Sequence, residues 1–476
     1  MGRKQTRIPG VTVWQRGKAW RVQVRMGRDS ATGRWLFKAE TWDTEAEAWE
    51  AGRRLLAQRD AREAEHVEPT RVKLADYLGE WLRRKAAEGR KARTMYDYER
   101  AVRSLIIPAL GDVRLQDLSP AMVQKWQDGL AARPDAKGAT TAAQAYRALR
   151  SALSDATRLG LTAYNPASRA RPAMRTPRKR PGFTLAEADA IIAAAEGERL
   201  APLFAFILHT GLRHGEALGL QWGDIGPADE TLTVRRNLVE VGGAMVEGAP
   251  KTERGKRTFA LPAGARDALR RQRAQQAKDR LAAGEAWRAH EGWVFAARTG
   301  GPLEMHNVDR AFRRVRGRAA FDASLLGALA SAGTAGAGLA ALTRSVGGTE
   351  ADSAAALARL VGRGHAARCS EGLWRATPAG AAAAHSVRPL PLYSLRHATA
   401  SILLGAGVPV AVAAKMLGHS VTLFTETYAD LLVEATRGAA AQVDAFWADR
   451  SKPPAPSLVD GGAPGARPLR LRRRAR

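Results

Sequence analysis

The chain has 476 residues, with 75 Lys and Arg against 47 Asp and Glu, a formal net charge of +28. At about 150 residues per domain this length predicts two to four domains, and the charge points to a polyanionic partner, with nucleic acid ahead of a membrane surface. Cys369 is the only cysteine, which excludes an intrachain disulfide and a Cys-rich zinc site, and no segment approaches the roughly 20 apolar residues of a membrane span. The opening MGRKQTRIPG lacks the apolar centre of a secretion signal, so the expected setting is the cytoplasm.

Residues 11–40 read as three strands. In VTVWQRGKAWRVQVRMGRD apolar and polar residues alternate around turn signals at Gly17-Lys18 and Asp29 to Gly33, and RWLFKAETW supplies the third strand. From Thr44 the period becomes helical, with Thr44 as N-cap and Glu47 completing a capping box. Residues 1–66 thus form a small sheet-plus-helix unit. Trp14, Trp20, Trp35 and Trp42 could fill its core, and Arg16, Arg21, Arg25, Arg28 and Arg34 lie on exposed strand faces.

Residues 70–170 read as all-helical. Leu74, Tyr77, Leu78, Trp81 and Leu82 fall at helical spacing, and a second helix stops at Pro108 and Gly111. A third is capped by Ser119 with Pro120 at its first position, and a fourth ends at Gly160. Residues 171–182, with Arg178, Lys179 and Arg180, are Pro- and Arg-rich without periodicity and read as a basic linker. A larger domain spans 183–448. It opens with a helix capped by Thr184, passes through strands in ETLTVRRNLVE, GAMVEGA and KRTFALP, and continues with helices at 263–287 and 306–319. Residues 449–476 have the Pro/Gly-rich and then basic composition of a disordered tail. The predicted class is multidomain and mainly α with small β-sheets (α+β).

Within the larger domain, LFAFILHTGLRHGEALGLQW (203–222) begins as apolar as a core helix, then places His209, Arg213, His214 and Glu216 within eight positions. A buried arginine without a partner is costly. Arg213 therefore either pairs with Glu216 on a helix face or meets a charge that the chain does not supply. A second stretch, LYSLRHATASILLGAGVPVAVAAKMLGHSVTLFTETYAD, holds Tyr393, Arg396 and His419, with Tyr428 nine residues after His419.

Arg213 in TGLRHGEAL, Arg396 in LRHATAS, His419 in LGH and then Tyr428 together resemble, in order and context, the tyrosine recombinase (phage integrase) family. The resemblance covers most of the chain. It implies a catalytic domain at 183–448, a helical core-binding domain at 70–170 (supported by RTMYDYERAVRSLIIPALGDVRL) and a sheet-type arm-binding domain at 1–66. It implies a prophage or mobile-element integrase that cleaves and rejoins double-stranded DNA at attachment sites through a 3′-phosphotyrosine, as a homotetramer, without cofactor or metal. A directionality or host bending factor is a further candidate partner. Two alternatives remain: a type IB topoisomerase-like relaxing enzyme, against which a separate arm-binding domain argues, and a catalytically degenerate DNA-binding regulator.

The residue types fit the implied chemistry. Two arginines can hold both non-bridging phosphate oxygens without losing their protons. Tyr428 can form a covalent phosphotyrosine, which conserves the energy of the broken bond and removes the need for ATP. An acid must protonate the leaving 5′-hydroxyl. Lys251 in GAPKTERGKRTFALP, in competition with Lys256 and Arg257, matches the setting of the family's catalytic lysine. His419 would contact phosphate, and Glu216 would orient Arg213 or pack.

Two features depart from the family. Three residues before Arg396 the family usually has His, sometimes Lys; here it is Tyr393. A phenol can donate a hydrogen bond to phosphate, but with a pKa near about 10 it is a poor base. A phosphate contact and a packing role both stay open for Tyr393, and so does the acceptor of the Tyr428 proton. By helical direction His397 is expected to point elsewhere. The second departure is an insertion at 321–385, where the family has a short connection. Its order of helix, short helix, helix EADSAAALARLVGRG and strand-turn-strand HAARCSEGLWRATPAG resembles a winged helix-turn-helix. Only Arg359 and Arg363 are basic on the candidate recognition helix, so DNA reading, a structural or protein-contact role and a flexible Ala/Gly-rich loop all stay open.

Overall fold

A computed structural model of the chain describes residues 5–17, 19–28, 35–65, 71–133, 138–171, 182–250, 255–288, 292–369 and 372–429. Arg34, Arg178, Lys179, Arg180, Lys251, the segment 433–448 and the tail 449–476 lie outside them.

The N-terminal sheet has four strands rather than the three expected. The order is β1 (Gln5–Ile8), β2 (Val11–Arg16), β3 (Ala19–Arg28), β4 (Trp35–Trp42), all antiparallel. The added strand follows from Pro9-Gly10. Proline fixes its own φ at about −65°, Gly10 takes φ 86°, and that combination reverses the chain in two residues. Val11, Val13, Val22 and Val24 point to one face and pack under Trp49 and Leu55 of α1 (Glu45–Glu65). The strand period of two sends Arg16, Arg21 and Arg25 to the opposite face, opposite Ala19, Trp14 and Phe37 respectively. The tryptophans divide between the faces. Trp20 and Trp42 pack on the core, whereas Trp35 is 43% exposed and carries the Arg25 guanidinium 4.3 Å from its ring centroid. Valines and α1 side chains, not four tryptophans, make this core.

Five helices follow: α2 (Leu74–Ala87), α3 (Ala92–Ala101), α4 (Ile107–Leu110), α5 (Pro120–Ala131) and α6 (Gly138–Arg158). Between α3 and α4, Val102–Ile106 form a π-helical turn. Pro108 has no N–H to give the residue-104 carbonyl, and its ring would press on that carbonyl; the wider turn relieves the clash. Buried Asp155 ties α6 to α2, accepting from Trp81 Nε1 at 2.8 Å and pairing with Lys85 at 2.8 Å. At the start of α3, Lys91 Nζ donates to the Pro250 carbonyl at 2.8 Å and Arg93 to the Glu240 carbonyl at 2.8 Å.

The largest core lies in the residues from 183 onward. α7 (Leu185–Ala194) starts at the Thr184–Glu187 capping box, α8 (Ala201–Thr210) is buried almost throughout, and α9 (His214–Leu218) is short. β5 (Thr231–Val234) pairs with β8 (Arg257–Ala260), and β6 (Asn237–Val241) with β7 (Ala244–Gly248). ETLTVRRNLVE is therefore two strands in separate sheets, broken where Arg236 turns to Asp224 at 2.6 Å. After α10 (Ala263–Ala283), the helix expected at 306–319 does not stop there: α11 runs from Met305–Ala332. Its far end supplies Leu325, Leu326 and Leu329 to a separate small core. That core is completed from α12 (Leu339–Val346), α13 (Glu350–Gly362) and the strand pair β9 (Ala366–Arg368) and β10 (Trp374–Ala376), with α14 (Pro378–Ala382) following. An added bridge, Ala337 to Trp374, widens the pair. Arg359 of α13 meets Asp322 of α11 through two bonds, 2.5 and 3.0 Å, and Arg363 at the C-cap of α13 lies 3.7 Å from the same carboxylate, so both basic residues turn inward. The chain returns through α15 (Ser394–Gly405), α16 (Val410–Leu417) and α17 (Val421–Thr427). Among the described residues no helix is long and apolar enough to cross a membrane.

Candidate active site

The end of α8 explains why Arg213 follows a core helix. Gly211 closes the helix in the left-handed region, φ 63°, and a Cβ there would stand 2.3 Å from Leu417 Cδ2. Only glycine lets α8 end against α16. The chain then extends for Leu212 and Arg213, and α9 begins. Glu216, buried in the first turn of α9, accepts the Arg213 backbone N–H at 3.2 Å and pairs with Arg213 Nη1 at 2.7 Å. Its other face pairs with Arg257 Nη2 at 2.9 Å. Arg257 in turn donates to the Met416 carbonyl at 2.7 Å and the Gly255 carbonyl at 2.9 Å. One carboxylate thus aligns an arginine from each of two distant segments.

Arg396 on α15 has no solvent exposure. It donates to the Gly211 carbonyl at 2.6 Å, to the Leu417 carbonyl, and through Nη2 to His419 Nε2 at 2.9 Å. Gly418, left-handed at φ 64°, turns the chain so that His419 faces back into this cluster, and its carbonyl accepts from Arg213 Nη2 at 3.4 Å. Tyr428 follows α17 and is buried against His419 (stacked, 6.3 Å between centroids) and Phe424 (4.8 Å). Three buried polar atoms of this cluster have no hydrogen-bond partner among the described residues: Arg396 Nε, His419 Nδ1 and Tyr428 Oη. Orphaned buried groups cost about 1–3 kcal/mol each, so three in contacting residues mark a place built for a polar ligand rather than for packing.

The electrostatics agree. Glu216 would be raised by burial, but Arg257, Arg213 and Arg396 outweigh that and hold it below the ordinary carboxylate range. Burial, then Arg213, lowers Arg396 below the usual arginine range. Burial first, then Arg396, Arg213 and Arg257, push His419 down to about 3. Burial raises the Tyr428 phenol to about 12, although Arg396 and Arg213 pull the other way. The pocket is desolvated and positive, and disfavours further cations.

Comparisons with known proteins decide the family. The profile described as "Phage integrase, N-terminal SAM-like domain" matches residues 73–131, and that of the "Phage integrase family" matches residues 183–326. An integrase of Streptomyces ambofaciens is 29% identical over 323 residues, covering 66% of this chain and 80% of that protein. A prophage phiRv2 integrase of Mycobacterium tuberculosis is 30% identical over 263 residues, 52% of this chain and 67% of that protein. The chain belongs to the phage integrase family of tyrosine recombinases. It is a site-specific DNA recombinase, an enzyme that breaks and rejoins DNA. In fold it is similar to the Tn1549 transposon integrase, solved in complex with a circular intermediate DNA, with TM-score 0.52 at 15% identity over 78% of this chain and 99% of that one.

The recombinase brings Arg213, Glu216, Arg396, His419 and Tyr428 together from four elements, with Tyr393 at the edge. The Tyr393 ring faces His397 at 5.1 Å and His214 at 6.4 Å. Arg16, Arg21 and Arg25 lie apart on the N-terminal sheet. Two residues of the cluster were misjudged from sequence. Arg257, weighed there only as a rival to Lys251, is the second partner of Glu216. His397 does not point elsewhere: its ring stands 5.5 Å from that of Tyr428. Helix geometry held the signal, since His397 comes four residues after Tyr393 and residues four apart share a face.

Proposed function

We propose that Tyr428 is the nucleophile and that Arg213, Arg396 and His419 bind the scissile phosphate. Tyr428 Oη attacks phosphorus, the P–O5′ bond breaks, and a 3′-phosphotyrosine and a 5′-hydroxyl result. The two guanidinium groups neutralise the non-bridging oxygens, and His419 Nδ1 donates a third hydrogen bond. Lys251, on the segment between β7 and β8, protonates the leaving 5′-oxygen. Glu216 and Arg257 are positioning residues that fix Arg213 and the start of β8. The observation that carries this reading is the trio of unpartnered buried atoms on Arg396, His419 and Tyr428.

In the same proposal, residues 70–170 and 183–448 clamp duplex DNA, with phosphate contacts from Arg178, Lys179 and Arg180. The open sheet face with Arg16, Arg21 and Arg25 reads arm sites, and four copies exchange strands to integrate or excise a mobile element. Unlike these faces, α13 offers DNA no basic residue: Arg359 and Arg363 are turned to Asp322. The insertion at 321–385 is accordingly assigned a structural or protein-contact role. The test is a nicked suicide duplex carrying a candidate attachment core. Wild type should form a covalent adduct on a denaturing gel and Tyr428→Phe none. Tight binding without any adduct in wild type would instead identify a degenerate DNA-binding regulator.

A further inference from the structure

Attack by Tyr428 needs an acceptor for the phenol proton, and a phenol held up at about 12 does not ionise unaided near neutrality. Geometry removes the first candidate. Arg396 Nη2 can only donate, so at 2.9 Å the His419 Nε2 must accept. The imidazole proton is then on Nδ1, and His419 has no lone pair left for Tyr428. Tyr393 is a phenol and a poor base, and its described ring contacts are His397 and His214, not Tyr428. Phe424 on the other side of Tyr428 has nothing to titrate. His397 remains. It is buried, 8% exposed, and its ring stands edge-on between Tyr393 (5.1 Å, 78°) and Tyr428 (5.5 Å, 64°).

We infer that His397 is a catalytic residue of this recombinase, the general base that accepts the Tyr428 proton during strand cleavage. The inference rests on Tyr428 being the nucleophile. As the O–P bond forms, the Tyr428 O–H bond breaks, and its proton passes to the imidazole directly or through one water. The electron pair of the P–O5′ bond leaves with the 5′-oxygen, which takes its proton from Lys251. In rejoining, a 5′-hydroxyl attacks the phosphotyrosine and gives its proton to Lys251, the P–O bond to Tyr428 breaks, and His397 returns the proton to the Tyr428 oxygen. Among the described residues, ionisable groups near His397 include Tyr393 just before α15, Arg396 next to it in sequence, Tyr428, and His419 before α17.

Single-turnover cleavage of the nicked duplex by the full chain tests this. His397→Phe keeps a ring for Tyr428 to pack on. It should melt and bind DNA as wild type does, yet cleave about 100- to 10,000-fold more slowly. Across neutral pH the wild-type rate should depend on pH, and His397→Phe should remove that dependence. His419 at about 3 and Tyr428 at about 12 do not titrate in that window. Added imidazole should accelerate His397→Ala and leave Tyr428→Phe inert. If His397→Phe does not fold, His397→Asn carries the same comparison. Cleavage by the folded variant within about threefold of wild type, with the wild-type pH dependence, would overturn the assignment. An adduct in Tyr428→Phe would instead overturn the nucleophile assignment on which it rests.

Discussion

Glu216→Ala should be one of the most damaging single changes in the residues from 183 onward, although Glu216 does no chemistry in the proposed reaction. Its carboxylate is 1% exposed and lies 2.7 Å from Arg213 and 2.9 Å from Arg257. Removing it leaves three guanidinium groups, with Arg396, crowded in a desolvated pocket. Breaking a buried pair by deleting one partner costs about 3–5 kcal/mol. The variant also loses the acceptor for the Arg213 backbone N–H at the start of α9, worth about 1 kcal/mol. The sum of about 4–6 kcal/mol is comparable with the whole stability of a marginal domain. For a domain of this size it corresponds to a fall in melting temperature of roughly 10–20 °C. Differential scanning calorimetry of the full chain measures it. Glu216→Gln, which keeps the shape and one acceptor, should lose less. A drop below about 3 °C in Glu216→Ala would show that the three arginines do not depend on this carboxylate, and the electrostatic account of the site would fail.

Three further outcomes follow from the same geometry. Arg257→Lys cannot reproduce the fork that reaches Glu216, Met416 and Gly255 together; DNA affinity should hold while single-turnover cleavage falls about 100-fold through misplacement of Arg213. Glu187 accepts bonds from Arg388 and Thr184, which outweigh burial and hold its carboxyl at about 2. A depressed folded-state pKa gives stability that is present above the ordinary value of 4.5 and lost as pH falls toward 2, so acid titration of melting temperature should be flatter in Glu187→Gln than in wild type over that window. Arg359→Ala should destabilise the 321–385 insertion by about 2–3 kcal/mol, less than a fully orphaned charge because Arg363 is 3.7 Å from Asp322; DNA affinity and its salt dependence should not change, and a weaker salt slope would show that α13 touches DNA after all.

The sequence made the site legible where local chemistry is unusual for a core. Arg213 and His419 are each preceded by short apolar runs and a left-handed glycine turn, Gly211 and Gly418, and such turns leave a signature in residue type. What escaped depended on distant contacts. Arg257 looks like one of several basic residues in GKRT until the fold carries it to a carboxylate 41 positions away. Helix α11 was cut short because nothing in RGRAAFDASLL marks where it ends; one unbroken helix serves both the large core and the small one. The first strand was missed although Ile8-Pro9-Gly10-Val11 carries its turn. The tryptophans misled because size suggested a core, whereas Arg25 gives Trp35 a cation to cover at the surface.

The most direct measurement is the identity of the residue that carries DNA. The trapped adduct would be digested with nuclease and trypsin, and the nucleotide-bearing peptide sequenced by mass spectrometry. A 3′-phosphonucleotide is expected on Tyr428, within the peptide from Met416 to Arg437. A nucleotide on Tyr393, or on any other residue, would contradict it.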